Sequence, residues 1–174
     1  MSETGTNEPA VGPDKYRTLL GAFPTGVTVV TVRGVDGAAK GMTASAVSAV
    51  SLVPPILLVC VERSASFHRS ISKADHFSLN ILAANQENVS RTFAGESKNP
   101  FSEVPHFAGP KDLPLLRGTV GHIICHVTDA YQAGDHSVFF GTVIGGEMTD
   151  QSPLLHYRGR YAAICTEPDQ GANG

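Results

Sequence analysis

The sequence predicts a mainly β protein with short helices, folded as an antiparallel barrel. Several segments alternate apolar and polar residues as strands do, among them 27–33 (VTVVTVR) and 136–148 (HSVFFGTVIGGEM). Helical spacing recurs only in two or three short stretches between such strands. With 174 residues, no internal repeat and no linker, the chain suits a single domain with a buried core.

The first predicted element is a short amphipathic helix. Four apolar residues follow the i, i+3, i+4, i+7 spacing of one helical face: Tyr16, Leu19, Leu20 and Phe23. Asp14 is placed to cap this helix, and Pro24 and Gly26 end it.

A hairpin is predicted next. Residues 27–33 form its first strand and residues 34–37 (GVDG) its turn. The returning strand is 41–55 (GMTASAVSAVSLVPP), which Pro54 and Pro55 stop.

The middle of the chain is predicted to alternate strands with short helices. Residues 56–62 (ILLVCVE) are nearly all apolar, as in a strand buried on both faces, and residues 76–82 form a further strand. Residues 64–74 indicate a short helix with a serine cap. Residues 85–95 indicate another, capped by Asn85 and ended by Gly95.

The last third is predicted to return to strands after a polar loop at 96–112. These strands are 119–131, 136–148 and 159–165, with a turn at 132–135 (QAGD). The segments 1–13 and 167–174 are polar and rich in Gly, Pro, Asn and Glu, and we expect disordered tails there. The predicted domain therefore covers residues 14–166.

Composition excludes several classes of partner. The formal net charge is −3 and the isoelectric point about 6.1, so no basic field is available for nucleic acid or an anionic membrane. No apolar run is long enough to span a membrane, and no secretory segment is recognisable, which predicts a cytoplasmic protein. Cys60, Cys125 and Cys165 each lie in an apolar run without a CxxC pair, which favours buried reduced thiols over a zinc or dithiol site.

Familiar motifs for metals and nucleotides are absent or weak. His122 and His126 have the spacing of zinc ligands on a helix, but their segment (HIICH) is predicted to be a strand and lacks the glutamate of that motif. No G-x-G-x-x-G fingerprint, P-loop or G-x-S-x-G elbow occurs.

The segment 41–55 is notable for its lack of side-chain bulk. Thr43, Ser45 and Ser51 share one strand parity, and Ser48 lies on the other. Such residues let a flat or phosphorylated ligand approach the backbone, with hydroxyls to bind it. They also suit a sheet that packs tightly on another element, and composition alone does not separate the two interpretations.

Six blocks occur in this order along the chain: FPTGVTVVTV, GMTASAVSAVSLVPPILLVCVERSASFH, HFSLNILAANQENVSRTFAG, LPLLRGTV, GDHSVFFGTV and PLLHYRGRY. Together they resemble the short-chain flavin reductases, the small partners of two-component flavin-dependent monooxygenases. The resemblance runs from about Tyr16 to Ile164. It implies an FMN-binding split β-barrel, usually a homodimer, that reduces FMN or FAD with NADH or NADPH and passes the reduced flavin to an oxygenase.

The resemblance also implies which residues hold the flavin. Its ring, ribityl chain and phosphate would lie along segments 43–51 and 60–66, and residues 80–82 would face the ring. The phosphate end would lie close to Ser90, Arg91 and Phe93. The flavin-binding residues implied in this way are Thr43, Ala44, Ser45, Ser48, Ser51, Cys60, Val61, Glu62, Ser64, Ser66, Asn80, Ile81, Leu82, Arg91 and Phe93.

The nicotinamide site has two interpretations. Gly134 and Asp135 suit an ordinary hairpin turn, which the sequence alone favours. The resemblance places the tripeptide GDH at the nicotinamide pocket, with His136 as the residue nearest the chemistry. The implied nicotinamide-binding residues are Gly134, Asp135, His136, Tyr157, Arg160 and Tyr161, although the last three also suit a charged strand end.

Three functions remain open from the sequence. The resemblance favours a NAD(P)H-dependent flavin reductase, in which the cofactors carry the hydride chemistry and the protein positions them. A non-catalytic flavin carrier on the same barrel, or an interaction barrel without cofactor, would lack that activity. The sequence does not choose between FMN and FAD, or between NADH and NADPH.

Overall fold

The computed structural model describes residues 9–164. The described helices are α1 (Pro13–Gly21), α2 (His68–Ile71), α3 (Glu87–Arg91) and α4 (Pro100–Glu103). The described strands are β1 (Thr25–Gly26), β2 (Thr28–Arg33), β3 (Ala39–Ala44), β4 (Val47–Leu52), β5 (Pro55–Glu62), β6 (His76–Ile81), β7 (His106–Ala108), β8 (Pro114–Leu116), β9 (Gly121–Ala133), β10 (His136–Met148), β11 (Leu154–Tyr157) and β12 (Arg160–Ala163).

The main sheet has seven antiparallel strands in the order β3-β2-β6-β9-β10-β5-β4. Its outermost strands, β3 and β4, are joined by Ser45 and Ala46 alone. A flat sheet of this order would be roughly 29 Å wide at about 4.8 Å per spacing, whereas three peptide steps reach only about 11 Å. The sheet must therefore roll into a barrel, and in the link between the two outermost strands Ala46 O accepts from Cys60 N of β5 at 2.9 Å.

This crossing corrects the prediction of one strand over 41–55. The segment is two strands, because the chain leaves the β2–β3 hairpin at Ser45 and continues as the partner of β5. The prediction that β5 is buried on both faces is also wrong. Leu57, Val59 and Val61 are buried, while the alternate residues Leu58 and Cys60 remain half-exposed.

The barrel interior is filled by apolar residues from strands of every part of the sheet. The main core cluster includes Val30, Val59, Phe77, Leu79 and Phe139. A second cluster, with Val29, Leu82, Phe93 and Leu116, packs between the barrel and the segments around α3. Burying a side chain of this size contributes about 1.5–3 kcal/mol.

Helix α1 forms as the spacing predicts, but it packs differently. Gly12 rather than Asp14 occupies the N-cap, and Asp14 lies in the first turn, where Arg17 donates to it. None of its residues is buried: Leu19 is 55% exposed, and Phe23, just after the helix, is 68% exposed. The apolar face of α1 is therefore not used in the barrel core.

The two other predicted helices are shorter than expected. Helix α2 has Phe67 at its N-cap without a side-chain cap, so the expected serine cap is wrong. Helix α3 begins after Gln86, not at an Asn85 cap, and continues as a π-helical turn over Thr92–Glu96. Gly95, with φ of 113°, lies at the end of this turn, where glycine was expected.

The remaining segments add short elements to the predicted strands. The loop 96–112 contains α4 and β7, and β1, β11 and β12 form a separate three-stranded sheet. The β9–β10 turn is tighter than predicted, since only Gly134 and Asp135 separate the strands. The expected tails fall largely on residues 1–8 and 165–174, which lie outside the described residues together with Cys165 and the domain end at 166.

Candidate active site

The barrel crossing contains two backbone N–H groups without a protein acceptor among the described residues. Within residues 9–164, neither the Ser45 N–H nor the Ala46 N–H donates to a protein acceptor. Both residues are exposed, and both line the central cavity and the apolar cavity defined below. Free backbone donors beside small side chains are what the polar edge of a flat heterocycle requires.

The central cavity has a volume of about 240 Å³. It is lined by residues from both predicted sets, namely Thr43, Ala44, Ser45, Cys60 and Glu62 from the flavin set and His136 from the nicotinamide set. Met42, Ala46 and Ala65 complete the lining. The structure therefore brings His136 of the nicotinamide set together with five residues of the flavin set.

Strand pairing explains why His136 reaches this cavity. β10 runs antiparallel to β5 with His136 opposite Glu62, so the turn before His136 lies at the end of β5. Arg63 N donates to Asp135 O at 2.9 Å and fixes the turn there. Gly134 has φ of 61°, which supplies the left-handed backbone that a two-residue hairpin turn needs. The hairpin and the functional interpretations of GDH are thus compatible.

Asp135 orients the His136 ring. His136 Nδ1 lies 2.7 Å from Asp135 Oδ1, an arrangement in which the ring N–H donates to the carboxylate. The hydrogen bond from His136 is the main cause that lowers the pKa of Asp135. Nε2 is left without a protein partner within the described residues, so it is available to a ligand.

The apolar cavity lies on the other side of the crossing and measures about 630 Å³. Ser45, Ser48 and Cys60 line it, together with Leu58 on the exposed face of β5. Its opposite wall comes from α1 and the β11–β12 hairpin, through Tyr16, Leu20, Phe23, His156 and Gly159. Sequence reasoning missed this role of α1 because helical spacing shows which face is apolar, not what that face covers.

The polar cavity, of about 340 Å³, contains the next two predicted flavin residues. Ser66 and Phe93 line it with Lys40, Gly41 and Lys98. Thr92, Ser70 and Ser97 add hydroxyls. Hydroxyls and lysines around one cavity are a donor set that suits a phosphate group.

Three predicted flavin residues lie in the core rather than in a cavity. Asn80 is fully buried: its Nδ2 donates to Val29 O at 3.0 Å, and its Oδ1 accepts from Leu116 N at 2.7 Å. Leu82 and Val61 are also fully buried. Their side chains cannot face a ring in the central cavity, because apolar neighbours and neighbouring strands enclose them.

Three more flavin candidates do not line the central, apolar or polar cavity. Ile81 is half-buried in β6 between β2 and β9, and Ser51 is half-buried in β4 opposite Ile56. Ser64 donates to Glu62 Oε1 at 2.5 Å, so it orients a carboxylate of the central cavity.

The phosphate-end and C-terminal candidates form a group of their own. Tyr161 OH is hydrogen-bonded to buried Ser90 at 2.9 Å, and Arg91 lies over the Tyr161 ring. Arg91 is also bound to Glu87 at 2.7 Å. Thr43 Oγ1 donates to Ser90 O at 2.6 Å, so this group holds α3 against both β12 and β3.

The β11–β12 hairpin reaches the apolar cavity through residues other than those predicted. Tyr157 and Arg160 are exposed and pair across the hairpin, and the Arg158 guanidinium lies over the Tyr157 ring. His156 and Gly159 are the ones that line the cavity. His156 and Tyr157 are neighbours on β11, and alternation along a strand sends their side chains to opposite faces.

Cys60 lies on strand β5, and His122 and His126 lie on strand β9, as predicted. Burial raises the pKa of Cys60, so it stays a thiol at neutral pH rather than a reactive thiolate. Within residues 9–164 no three metal-ligating side chains are grouped, and none of the helices there is long and apolar enough to cross a membrane.

Comparison with known proteins identifies the family. The sequence profile of the flavin reductase like domain matches residues 20–164. The chain belongs to this family. The match covers the barrel, the central cavity and His136.

Individual relatives align with nearly the whole length of this chain. The reductase subunit of a flavin-dependent monooxygenase from Rhodococcus jostii is 35% identical over 162 residues, covering 92% of this chain and 82% of the relative. An NADH-dependent FAD reductase from Streptomyces globisporus is 37% identical over 163 residues, covering 90% and 88%. The structure of the Streptomyces globisporus NADH:FAD oxidoreductase in complex with NAD and FAD fragments superposes with a TM-score of 0.83 at 36% identity, covering 94% of this chain and 100% of that one.

Proposed function

We propose that the protein is an NADH-dependent flavin reductase that supplies reduced flavin to a partner monooxygenase. The observation that carries the proposal is the central cavity, where small residues of the flavin set meet His136 across the β5–β10 pair. Relatives named as NADH-dependent reductases and as reductase subunits of monooxygenases support it over the carrier alternative. Residues 14–166 would form the working domain, in keeping with the profile match at 20–164.

The residues of the cavities fit a flavin. Ser45 and Ala46 have free N–H donors and small side chains, and the apolar cavity beside them can receive the flavin ring. Lys40, Lys98 and Ser66 in the polar cavity would hold the phosphate. When bound, the flavin accepts a hydride from the reduced nicotinamide.

The chain itself has to position two rings and exclude water. Ser45, Ala46 and Cys60 would form the surface under the flavin ring, and the side chains of α1 would cover the apolar cavity. His136, oriented by Asp135, would bind the nicotinamide donor through Nε2. No nucleophile or acid–base pair is required, because orientation and proximity lower the barrier for a transfer that the cofactors carry out.

One assay tests which nicotinamide is the hydride donor and which flavin is the acceptor. Purified protein is assayed for steady NADH and NADPH oxidation with FAD, FMN and riboflavin in excess. We expect turnover with NADH and at least one phosphorylated flavin. Flavin binding without nicotinamide oxidation would favour the carrier, and binding of no flavin would refute the proposal. Because NADH is a cytoplasmic metabolite, we expect the protein to work in the cytoplasm.

A homodimer is a second part of the proposal. Helix α1 has no buried residue, and the β4–β5 turn exposes Leu52 at 85% and Val53 at 89%. Apolar surface of this kind is characteristic of an interface between protein chains. Light scattering should give twice the mass of one chain. Leu19→Asp, outside the cavity lining, should lower that mass, whereas Val35→Asp, an exposed control on the β2–β3 turn, should not.

A further inference from the structure

A further cavity lies under the β7–β8 hairpin, apart from the candidate active site. This hairpin cavity, of about 300 Å³, is bounded by the hairpin on one side and by strands β9 and β10 on the other. Its volume is at the lower end of the roughly 300–1,000 Å³ range of small-molecule pockets. None of its lining residues lines the central, apolar or polar cavity, so it is a separate site.

Backbone irregularities on both sides keep the hairpin cavity open. The β9–β10 register shifts between Val143 and Gly145, and a Cβ added to Gly145 would have no neighbour within 4 Å. Across the cavity, Lys111 and Asp112 have φ of 59° and 56°, a left-handed backbone that residues other than glycine rarely adopt. Arg33 holds this turn, with its Nε 3.1 Å from Asp112 Oδ2. The cavity is therefore preformed rather than a gap that packing would close.

The walls of the hairpin cavity are largely apolar. Leu115 and Ile124 are buried in a small core cluster of their own, on the face of β9 that points away from the main core. Ile144 and Phe107 are partly exposed beside them, and the Phe107 ring stands edge-on to the His122 ring with centroids 5.9 Å apart. Aliphatic and aromatic surfaces of this kind suit a flat apolar molecule.

His122 gives the hairpin cavity a hydrogen-bond acceptor. Its Nε2 lies 2.8 Å from Leu116 O, and because a carbonyl only accepts, Nε2 must carry the proton. In the neutral ring Nδ1 is then an acceptor, and no protein donor binds it within residues 9–164. A ligand that carries a hydrogen-bond donor can use it.

The charges at the hairpin cavity favour a neutral ligand. Lys111 and Glu147 both line it, and neither forms a salt bridge in the part of the chain that the structure describes. Their formal charges cancel, so an anion drawn to Lys111 also meets the Glu147 carboxylate. A charged ligand would lose its water without gaining a net counter-charge.

We propose that the hairpin cavity binds a small neutral phenol. The ring would pack against Phe107, Ile124 and Ile144, and the hydroxyl would donate to His122 Nδ1. The proposal does not rest on the proposed flavin site. Because the cavities share no lining residue, the phenol and a flavin should bind at the same time.

The chemistry of the ligand is tested on the full-length wild-type protein. Dissociation constants are measured by NMR titration of isotope-labelled protein, following the amides of Gly145 and Gly146. The probes are p-cresol, its methyl ether, which keeps the ring but has no donor, and p-toluate, which replaces the hydroxyl with a carboxylate. We expect p-cresol to bind roughly three- to tenfold more tightly than the ether, as one hydrogen bond implies, and more tightly than p-toluate. Equal affinity for the ether, tighter binding of p-toluate, or no saturable shift of these amides would overturn the proposal.

The location of the site is tested with Gly145→Leu, which places a side chain in the open space of the hairpin cavity. The matched control is Gly26→Leu, at an exposed position of β1 where an added Cβ also has no neighbour within 4 Å. We expect p-cresol to bind at least about tenfold more weakly to Gly145→Leu and to change by less than about twofold with the control. Unchanged affinity in Gly145→Leu would overturn the proposal.

A competition experiment separates the hairpin cavity from the flavin site. Saturating p-cresol should leave the dissociation constants of FAD and FMN within about twofold of their values without it. Competition with either flavin would place p-cresol in the flavin site and overturn the proposal. If Gly145→Leu does not fold, the comparison of p-cresol with its ether on the wild-type protein still decides.

Discussion

Two groups of polar residues lie in the same barrel and differ in how their hydrogen bonds are used. In the interior, Asn80, Thr31 and Ser78 are fully buried and bond to one another, to Val29 O and to Pro114 O. At the crossing, Ser45 and Ala46 have N–H groups without a protein partner in residues 9–164. A buried polar group has to be satisfied internally, whereas a site for a ligand keeps donors free. The structural residues thus have hydrogen-bond partners within the protein, whereas the residues proposed to bind a ligand keep their backbone donors free.

The largest effect is expected inside the barrel. Asn80→Leu removes the side-chain hydrogen bond to Val29 O and leaves the Leu116 N–H unpaired in the core, at a cost of about 2–4 kcal/mol in the free energy of unfolding. Urea denaturation measures this loss. Asn88→Leu, on the exposed side of α3, should change the stability by less than about 0.5 kcal/mol. A folded Asn80→Leu protein with normal stability but weakened flavin binding would contradict the comparison.

Gly41→Ala tests how closely β3 approaches the aromatic wall of the polar cavity. An added Cβ would lie 2.8 Å from Phe93 Cε1 and 3.2 Å from Phe101 Cζ. Phe93 is buried in the second core cluster, so it yields little, and we expect a loss of about 1–3 kcal/mol. Thermal unfolding is compared with Gly145→Ala, where a Cβ has no neighbour within 4 Å. Equal melting temperatures of the two variants would show that the Phe93 and Phe101 side chains move aside at little cost.

His136→Ala tests the nicotinamide side of the central cavity. We expect the KM for NADH to rise roughly tenfold, the equivalent of one lost hydrogen bond, with little change in the dissociation constant of the flavin. His126→Ala, at an exposed position of β9, is the matched control. Weakened flavin binding with an unchanged KM for NADH would place His136 at the flavin instead.

The smallest effect concerns two cysteines with different surroundings. Burial raises the pKa of Cys125 in the core to about 12, whereas Cys60 is half-exposed and lines two cavities. In a Cys165→Ser background, a thiol reagent should modify Cys60 and spare Cys125. Saturating flavin should slow the reaction of Cys60 several-fold. Reaction at the same rate with and without flavin would separate Cys60 from the binding surface.

The sequence predicted those helices and strands whose formation depends on residue patterns within the segment itself. Strands β2 and β10 were identified because apolar and polar residues alternate along them, and α1 because its apolar spacing is regular. The break between β3 and β4 was missed, since no breaker residue marks Ser45 and Ala46 and only barrel closure requires it. Asn80 was placed at the ring by the family resemblance alone, and its hydrogen-bond partners in the structure, Val29 and Leu116, are 51 and 36 residues away, too far for local patterns to reveal.

The same limit applies to the candidate site. The small residues of β3 and the tripeptide GDH, which ends on the first residue of β10, could be identified as separate candidates. Their meeting depends on the register that puts His136 opposite Glu62, which the sequence does not reveal. Lys40 and Lys98 carry no signal as isolated basic residues, because only the fold assembles them in one cavity.

The short link between the sheet's outer strands has a consequence for thermal behaviour. Ser45 and Ala46 form the seam of the barrel, and the same two residues would support the flavin ring. An occupant that touches both sides of the seam opposes its opening, so the midpoint of heat unfolding rises with flavin concentration. The flavin concentration and the thermal stability of the protein are thereby linked through one pair of small residues.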